Sequence, residues 1–555
     1  MKHFVLAFAF ALCFAYVRTN GQTSTYEQVH AIFQAHCTGS CHGSTNPQGN
    51  LDLSGTTSEV YNRLVDATPT NPAAVASGYK RVIPGYPYRS FLMKKVNHGL
   101  DPMNELVAGE GATMPNTYAD SLSKEQIETI RQWIIWGAKD TGVTYNLNLV
   151  HDFYTNGGIA ETTAPLTPAQ EGREGYQVKF GPVFLQPLGE FEFFQPYNPN
   201  LAAPVEITEL HSTLPPQCHH WVLRTITPAG VTAMGVAPRN GTDFTTQINV
   251  FTYAKFMGIW QYSDDLNFPA GTAHYQDSAE ALLLNLHMHN YSGSQILAAS
   301  AYTNVYTQPR GSGAIQMKSD LSSYGGQNPF LLNIPATGQP VVFTNEYTVP
   351  GEMRYYWNIQ SHTHARGKDF DMFLRNSDGT KGQQIYEGFY NEDYSFNQGY
   401  YDYSHPAVKI FDPLLPVDMT NGLIFEATYQ NNGSVAVPFG LTTEGEMFVT
   451  YFQFTNELPT AINDVKADNS NLQVFPNPTR NIINLSYATE NNDLVSVELY
   501  NEMGTKVKSM FNGNQVTGKH TMHIDAVADG LAAGMYFVHL EINGSKTVRK
   551  VIIMN

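Results

Sequence analysis

Cysteine is scarce in this chain of 555 residues: Cys13, Cys37, Cys41 and Cys218 are the whole complement. Cys13 sits in an N-terminal apolar run, Cys37 and Cys41 are close neighbours, and Cys218 is alone. That distribution excludes a disulfide framework, so stability has to come from hydrophobic cores. Charge is scarce as well. Only 15% of residues are charged, and 32 basic side chains face 49 acidic ones, a formal charge of −17. That sign argues against nucleic acid and anionic membranes as partners. Past the N-terminal run no stretch is long and apolar enough for a transmembrane segment, and no short-period repeat is present.

Glycine (45), proline (31), tyrosine (32) and phenylalanine (31) are plentiful. This composition points to an exported, β-rich protein with many turns. Residues 1–21 read as a signal peptide: Lys2 and His3, an apolar run from Phe4 to Val17, and cleavage near Gly21–Gln22. Residues 22–143 carry helical spacing over Tyr26–Ala35 and Lys124–Ala138, the second opened by Ser123 with Gln126 three residues on. From about 144 to 460, short alternating or wholly apolar runs are punctuated by Gly, Pro and Asn. They predict two tandem antiparallel, jelly-roll-like β-sandwiches, at 144–305 and 306–458. A polar linker at 459–471 leads to a small β-sandwich at 472–555. The expected fold class is mainly β, with a small all-α domain in front.

Two sets of residues carry chemistry. In the helical part, Cys37-Thr-Gly-Ser-Cys41-His42 ends the first helix. Two thiols can bond to haem vinyl groups, and the following His offers an axial iron ligand. Three residues separate the thiols where two are usual, so a disulfide or metal pair stays an alternative. Met114, in Gly111-Ala-Thr-Met-Pro115, offers the thioether that completes His/Met ligation and raises a haem potential. Met103 and His98 are further distal candidates.

The second set is six soft-metal ligands in the β-rich middle: His219 and His220, His287, His362 and His364, then Met447. Imidazole suits copper, zinc and iron, whereas a thioether points to copper. The order divides into an all-His set and a His-His-Met set, a pattern for two copper sites of different character. Neighbouring strand residues point to opposite faces, so His219 and His220 can share an ion only if the strand twists or bulges, or if they use different ring nitrogens. His362 and His364, two apart, share a face. His289 competes with His287, while His211 and Cys218 are near neighbours better read as packing residues.

The helical part, about residues 24–142, resembles the class I cytochrome c domain. That resemblance implies one covalently bound haem c on Cys37 and Cys41, with His42 proximal and Met114 distal. The segments Cys218-His-His-Trp-Val-Leu, Leu284-Asn-Leu-His-Met-His-Asn290, Ser361-His-Thr-His-Ala-Arg-Gly367 and Glu446-Met447 resemble another family. It is that of the copper type II, ascorbate-dependent monooxygenases, peptidylglycine α-hydroxylating and dopamine β-monooxygenase. The resemblance spans about 175–457 and implies two copper ions. His219, His220 and His287 would hold the electron-transfer copper. His362, His364 and Met447 would hold the oxygen-activating one, across an open cleft. The disulfides of the animal enzymes have no counterpart, and Asn285 stands where the family has Gln.

The implied activity is hydroxylation of a C–H bond of a small-molecule or peptide substrate with O2. Electrons would come from ascorbate or another external donor, by way of the fused haem. A copper or haem electron-transfer protein without hydroxylation is the alternative. Zinc hydrolysis is a third reading, disfavoured by Met447 and the haem motif. The last segment, from Val474-Phe-Pro-Asn-Pro478 through Gly534-Met-Tyr-Phe to Lys550-Val-Ile-Ile-Met-Asn555, resembles a type IX secretion sorting domain. It implies the type IX machinery as a partner and a secreted or cell-surface location.

Overall fold

The computed structural model describes residues 23–554 apart from 40, 117–120, 327, 390–400, 404–405, 441–442, 459–471, 478, 490, 502–504 and 544. The expected signal peptide and linker lie outside the described residues. The fold is mainly β, with several sheets and a small C-terminal β unit. Two compact units result, Met1–Leu458 and Pro459–Asn555.

The first unit begins with helices. Thr25–His36 and Lys124–Ile135 each open on a reciprocal capping box, Ser24 with Glu27 and Ser123 with Gln126. Both boxes satisfy donors that a helix start otherwise leaves unpaired. The second helix stops three residues short of the expected Ala138. Gly137, at φ +94°, supplies the left-handed turn that ends it. Tyr26 stacks on Trp133 at 4.9 Å between ring centres, and Phe33, Val60, Leu64, Met93 and Ile130 close the core around them.

Next comes a two-sheet sandwich. One sheet orders Arg239–Asn240, Glu190–Tyr197, Ala281–His289, Cys218–Ile226 and Ala254–Trp260; the other is seven-stranded around Ile296–Pro309 and Val205–Thr213. Their shared core is built on Trp221, Leu223, Leu284, Leu286 and Val305. A second sandwich follows. One sheet orders Lys318–Ser323, Val449–Thr455, Met353–His362 and Val408–Asp418. Facing it are Pro340–Tyr347, Leu423–Gln430, Gly367–Arg375 and Lys381–Glu387, over Tyr356, Phe370, Phe425 and Phe452.

The boundary expected after residue 305 falls inside the strand Ile296–Pro309, and Ile315–Gln316 still pairs with the first sandwich. The changeover therefore comes at Met317, whose side chain belongs to the first core. The Gly311-Ser-Gly313 segment is therefore a turn within the first sandwich.

Every residue of the strand Cys218–Ile226 is buried. Its sheet has core on one face and the second sandwich on the other, the situation in which alternation disappears from a strand. Gln453 Nε2 of the second sandwich donates to the Met257 carbonyl of the first at 3.1 Å.

The helical part is fixed to the first sandwich by buried charge. Lys179 Nζ lies 3.0 Å from Asp101 Oδ2 and 3.1 Å from Glu161 Oε2, and Arg131 NH1 lies 3.4 Å from both Asp101 and Glu128. Gln132 Nε2 also donates to the Pro182 carbonyl at 2.7 Å.

In the second unit, Gln473–Phe475, Ile482–Thr489 and Gly518–Asp525 form one sheet. Lys506–Gln515, Asp493–Asn501, Gly534–Ile542 and Ser545–Ile553 form another. Ile483, Leu485, Val497, Val538 and Val551 pack between them.

Lys179→Met leaves Asp101 and Glu161 without their shared cation in a buried place. Breaking such a pair costs about 3–5 kcal/mol. Urea unfolding of the variant should show that loss; a change below about 1 kcal/mol would mean the network does not hold the helical part in place.

Candidate metal centre

The five histidines meet at the seam between the sandwiches. His287, on Ala281–His289, pairs with His220 on Cys218–Ile226, and the register then slips so that Met288 pairs with Cys218. His219 is the residue left over. This bulge is the irregularity that lets adjacent histidines turn to one place. From the second sandwich come His362, the last residue of its strand, and His364, two residues beyond the strand end. All five rings are buried, between 0% and 5% exposed.

One imidazole nitrogen from each of His219, His220 and His287 lies within 4.8 Å of the other two. Ring centres are 4.6 Å apart for His219 and His287, 4.9 Å for His220 and His287, and 5.2 Å for His362 and His364. The expected open cleft between the two sets is absent. His219 lies 5.4 Å from His362 and 5.5 Å from His364, and His220 lies 5.3 Å from His362. The physical reason is that the polar face of the first sandwich is sealed by the second.

Four of the rings have one nitrogen engaged and the other buried without a partner. His287 Nε2 donates to Glu190 Oε1 at 2.6 Å, leaving Nδ1. His364 Nδ1 donates to the Gly445 carbonyl at 3.2 Å, leaving Nε2. His362 Nδ1 is 3.1 Å from the Gln261 amide, leaving Nε2; a half-turn of that amide presents its oxygen to Nδ1–H. His219 Nδ1 faces His220 Nδ1 at 3.4 Å, and its Nε2 has no partner. His220 Nε2 donates to Glu192 Oε1 at 3.2 Å. An unsatisfied buried polar atom costs about 1–3 kcal/mol. Four such atoms in one cluster, each on a ring with its other nitrogen engaged, are a donor set that could hold a metal ion.

Burial, reinforced by the neighbouring imidazoles, holds His219 and His362 well below the ordinary histidine value. It holds His220 and His364 down to about 3. These four rings are neutral at physiological pH, the form that ligates metal. Glu190 is half-buried, which works against ionisation, but the bonds from His287 and Thr443 hold its carboxyl down to about 2. Thr443 reaches it from the second sandwich, Oγ1 donating to Glu190 Oε2 at 2.8 Å.

Met447 lies two residues before Val449, the strand partner of His362. Its half-buried side chain packs on an apolar patch of Phe194, Ile226 and Leu283. Five of the six expected ligands therefore meet ring to ring, and the thioether lies beside an apolar surface. The turn that carries it is tied to His364 by Glu446. That buried carboxylate accepts N–H bonds from His364 and Arg366, both at 2.8 Å, and from Met447 at 3.1 Å. Burial outweighs those donors and pushes it up to about 7.

His289 stands outside the cluster, stacked on Tyr291 at 4.4 Å. His211 bonds to Asn267 at 3.0 Å on the other sheet, and Cys218 faces the first core. Asn285 donates to Glu192 at 3.0 Å and accepts from Arg224 at 3.2 Å, so it holds the carboxylate that orients His220. Glu190, Glu192, Gln261 and Glu446 are residues that motif reading missed. The alternation Glu190-Phe-Glu192 was the available signal, since it puts two acids on one strand face.

In the helical part, His42 is buried and its Nδ1–H donates to the Leu51 carbonyl at 2.8 Å, which leaves Nε2 as the nitrogen that could ligate. Cys37 and Cys41 are half-buried, neither is in a disulfide, and burial beside Cys41 raises the Cys37 thiol to about 11. Met114 sits on the loop before the last helix of this part. Its N–H donates to the Lys95 carbonyl at 2.6 Å, and its own carbonyl accepts from His98 Nε2 at 3.0 Å. His98 is thereby engaged elsewhere, while Met103 is half-buried with its N–H on Asp101. A proximal imidazole fixed through Nδ1 beside two thiols fits a covalently held haem.

Residues 473–554 match the family model of the secretion system C-terminal sorting domain. The protein is therefore exported through type IX secretion to the cell surface or beyond. No helix among the described residues is long and apolar enough to cross a membrane. No curated protein sequence matches the chain. Among solved structures, a β-D-glucuronidase from Dictyoglomus thermophilum is 10% identical over 45% of this chain and 41% of its own, with a TM-score of 0.12. A β-1,2-glucanase from Parabacteroides distasonis is 12% identical over 43% of this chain and 37% of its own, with a TM-score of 0.14. The chain spans about two fifths of the length of each, and likenesses this slight carry no argument.

Two expectations follow. The folded imidazoles titrate below the unfolded value, so protons bind the unfolded chain first. Stability of the metal-free protein is then full above about pH 6.5 and falls toward about pH 3, by about 1.4 kcal/mol per pH unit for each ring. Thermal melts between pH 7 and 4 should show the decline, shallower in His364→Gln; a flat profile would refute it. Separately, deleting residues 473–555 should keep the protein inside the cell envelope, read by immunoblots of cell fractions. Undiminished release would contradict the sorting role.

Proposed function

We propose that the chain is a secreted copper-dependent monooxygenase that hydroxylates a C–H bond with O2, carrying its own c-type haem. The observation that supports this most is the cluster of five buried histidines with four unpartnered nitrogens. On this reading His219, His220 and His287 hold one copper, and His362, His364 and Met447 the other. Bound copper supplies one-electron exchange and reaction with dioxygen. The chain itself fixes which ring nitrogen is presented, through Glu190, Glu192, Gln261 and the Gly445 carbonyl. It also excludes water from the cluster and keeps four of the rings neutral.

A thioether favours the reduced state of copper, which gives Met447 a role distinct from the imidazoles. Its carrier turn is held to His364 through Glu446, so the two ligands of that set move together. Cys37, Cys41, His42 and Met114 would hold the haem, a one-electron centre on the same chain. The helical domain at 22–143 is then a cytochrome c domain, and the two sandwiches are the copper domains. Substrates are small molecules or peptides, with ascorbate or another donor as reductant.

The complete burial of all five rings favours one other reading, a copper and haem electron-transfer protein that hydroxylates nothing. A single experiment separates them. With a reductant and candidate substrates, O2 uptake should match product formation. Met447→Ile should abolish both while copper at the His219, His220 and His287 set is retained. O2 uptake without product, unchanged in Met447→Ile, would favour electron transfer alone.

A further inference from the structure

Three of the ring distances between the two ligand sets are no longer than those within them, and a fourth, His287 to His364, is 6.5 Å. Within the sets, ring centres lie 4.6–5.5 Å apart; between the sets, His219 to His362, His219 to His364 and His220 to His362 lie 5.3–5.5 Å apart. His219 is in ring contact with each of the other four. Its position follows from the bulge in Cys218–Ile226, which turns it to the seam beside His220. The arrangement is closed from both sides. Gln261 of the first sandwich contacts His362 of the second, and Thr443 of the second bonds to Glu190, the partner of His287.

We infer that the two copper positions form one coupled centre, with His219 as the residue on which both halves depend. This rests on the two-copper reading above but does not follow from it, since six ligands in two sets serve equally well for ions far apart. In the structure no solvent gap separates the sets. Electron exchange between the ions would then need neither a substrate bridge nor a movement of one sandwich against the other.

The test uses the full chain loaded with Cu(II), with bound copper measured by elemental analysis and unpaired spins by electron paramagnetic resonance. With one equivalent of copper, the spectrum should be that of an isolated ion. At two bound coppers per chain, the copper signal should broaden, and its integrated intensity should fall below half of the bound copper. Low-spin haem iron absorbs in a different region and does not mask this. Two coppers per chain with two full, unbroadened spins would overturn the inference and leave the proposed function standing. Fewer than two bound coppers would overturn both.

His219→Gln, checked for folding by its thermal melt, should weaken copper binding at both positions at least 10-fold. His287→Gln should weaken one only. Unchanged affinity of the His362 and His364 position in His219→Gln would overturn the role given to His219. If His219→Gln does not fold, the spin count of the unaltered chain decides alone.

Discussion

Five imidazoles have been taken out of water and set against one another in the seam between two sandwiches. Burying a polar group without a partner is unfavourable, and this chain does it at four nitrogens within one cluster. The surrounding structure is arranged to make that arrangement specific. A bulge turns His219 beside His220. Glu190 and Glu192 occupy alternate positions on one strand face, each taking the far nitrogen of a histidine. The Gly445 carbonyl does the same for His364, and Glu446 collects three N–H groups so that the turn bearing Met447 cannot move away from it. Removing any of these partners would loosen a ring before it removed a ligand.

The same constraint explains the sequence of the central strand. Cys218–Ile226 is buried throughout, yet one face carries His220 and Arg224. A strand at the centre of an ordinary sandwich would be apolar on its inner face and polar outside. Here the outer face is covered by a second sandwich, so its polar residues are engaged with each other instead of with water. Arg224, Asn285 and Glu192 form the string that carries this polarity away from the cluster. Buried charge appears again where the helical part meets the first sandwich, at Asp101, Arg131 and Lys179. In both places position is specified by polar groups that have few other places to go.

Much of this was legible in the sequence, because local rules govern it. Ser123 and Gln126 marked a helix start that the structure has, and the Pro476-Asn477 segment with the lysine-rich apolar terminus marked the sorting domain. The candidate ligands were visible as types and spacings, and a bulge at His219 was one of the arrangements that strand geometry left open. What was not legible depends on contacts between distant parts of the chain. The closeness of His219 to His362 is set by packing of one sandwich on another, and no spacing along the sequence encodes it. The boundary expected after residue 305 falls inside the strand Ile296–Pro309, whose pairing with distant strands extends past it. Glu190 and Glu192 were missed because two acids on a strand usually mean a solvated face.

The claim on which everything functional rests is that these imidazoles hold copper. Elemental analysis of the protein recovered from its secreting cell, with an optical spectrum of the same sample, tests it most directly. The account predicts two copper atoms and one haem iron per chain, with haem absorption that persists after acid and acetone extraction because the haem is covalently held. Stoichiometric zinc in place of copper, or no bound metal in a folded protein, would contradict it.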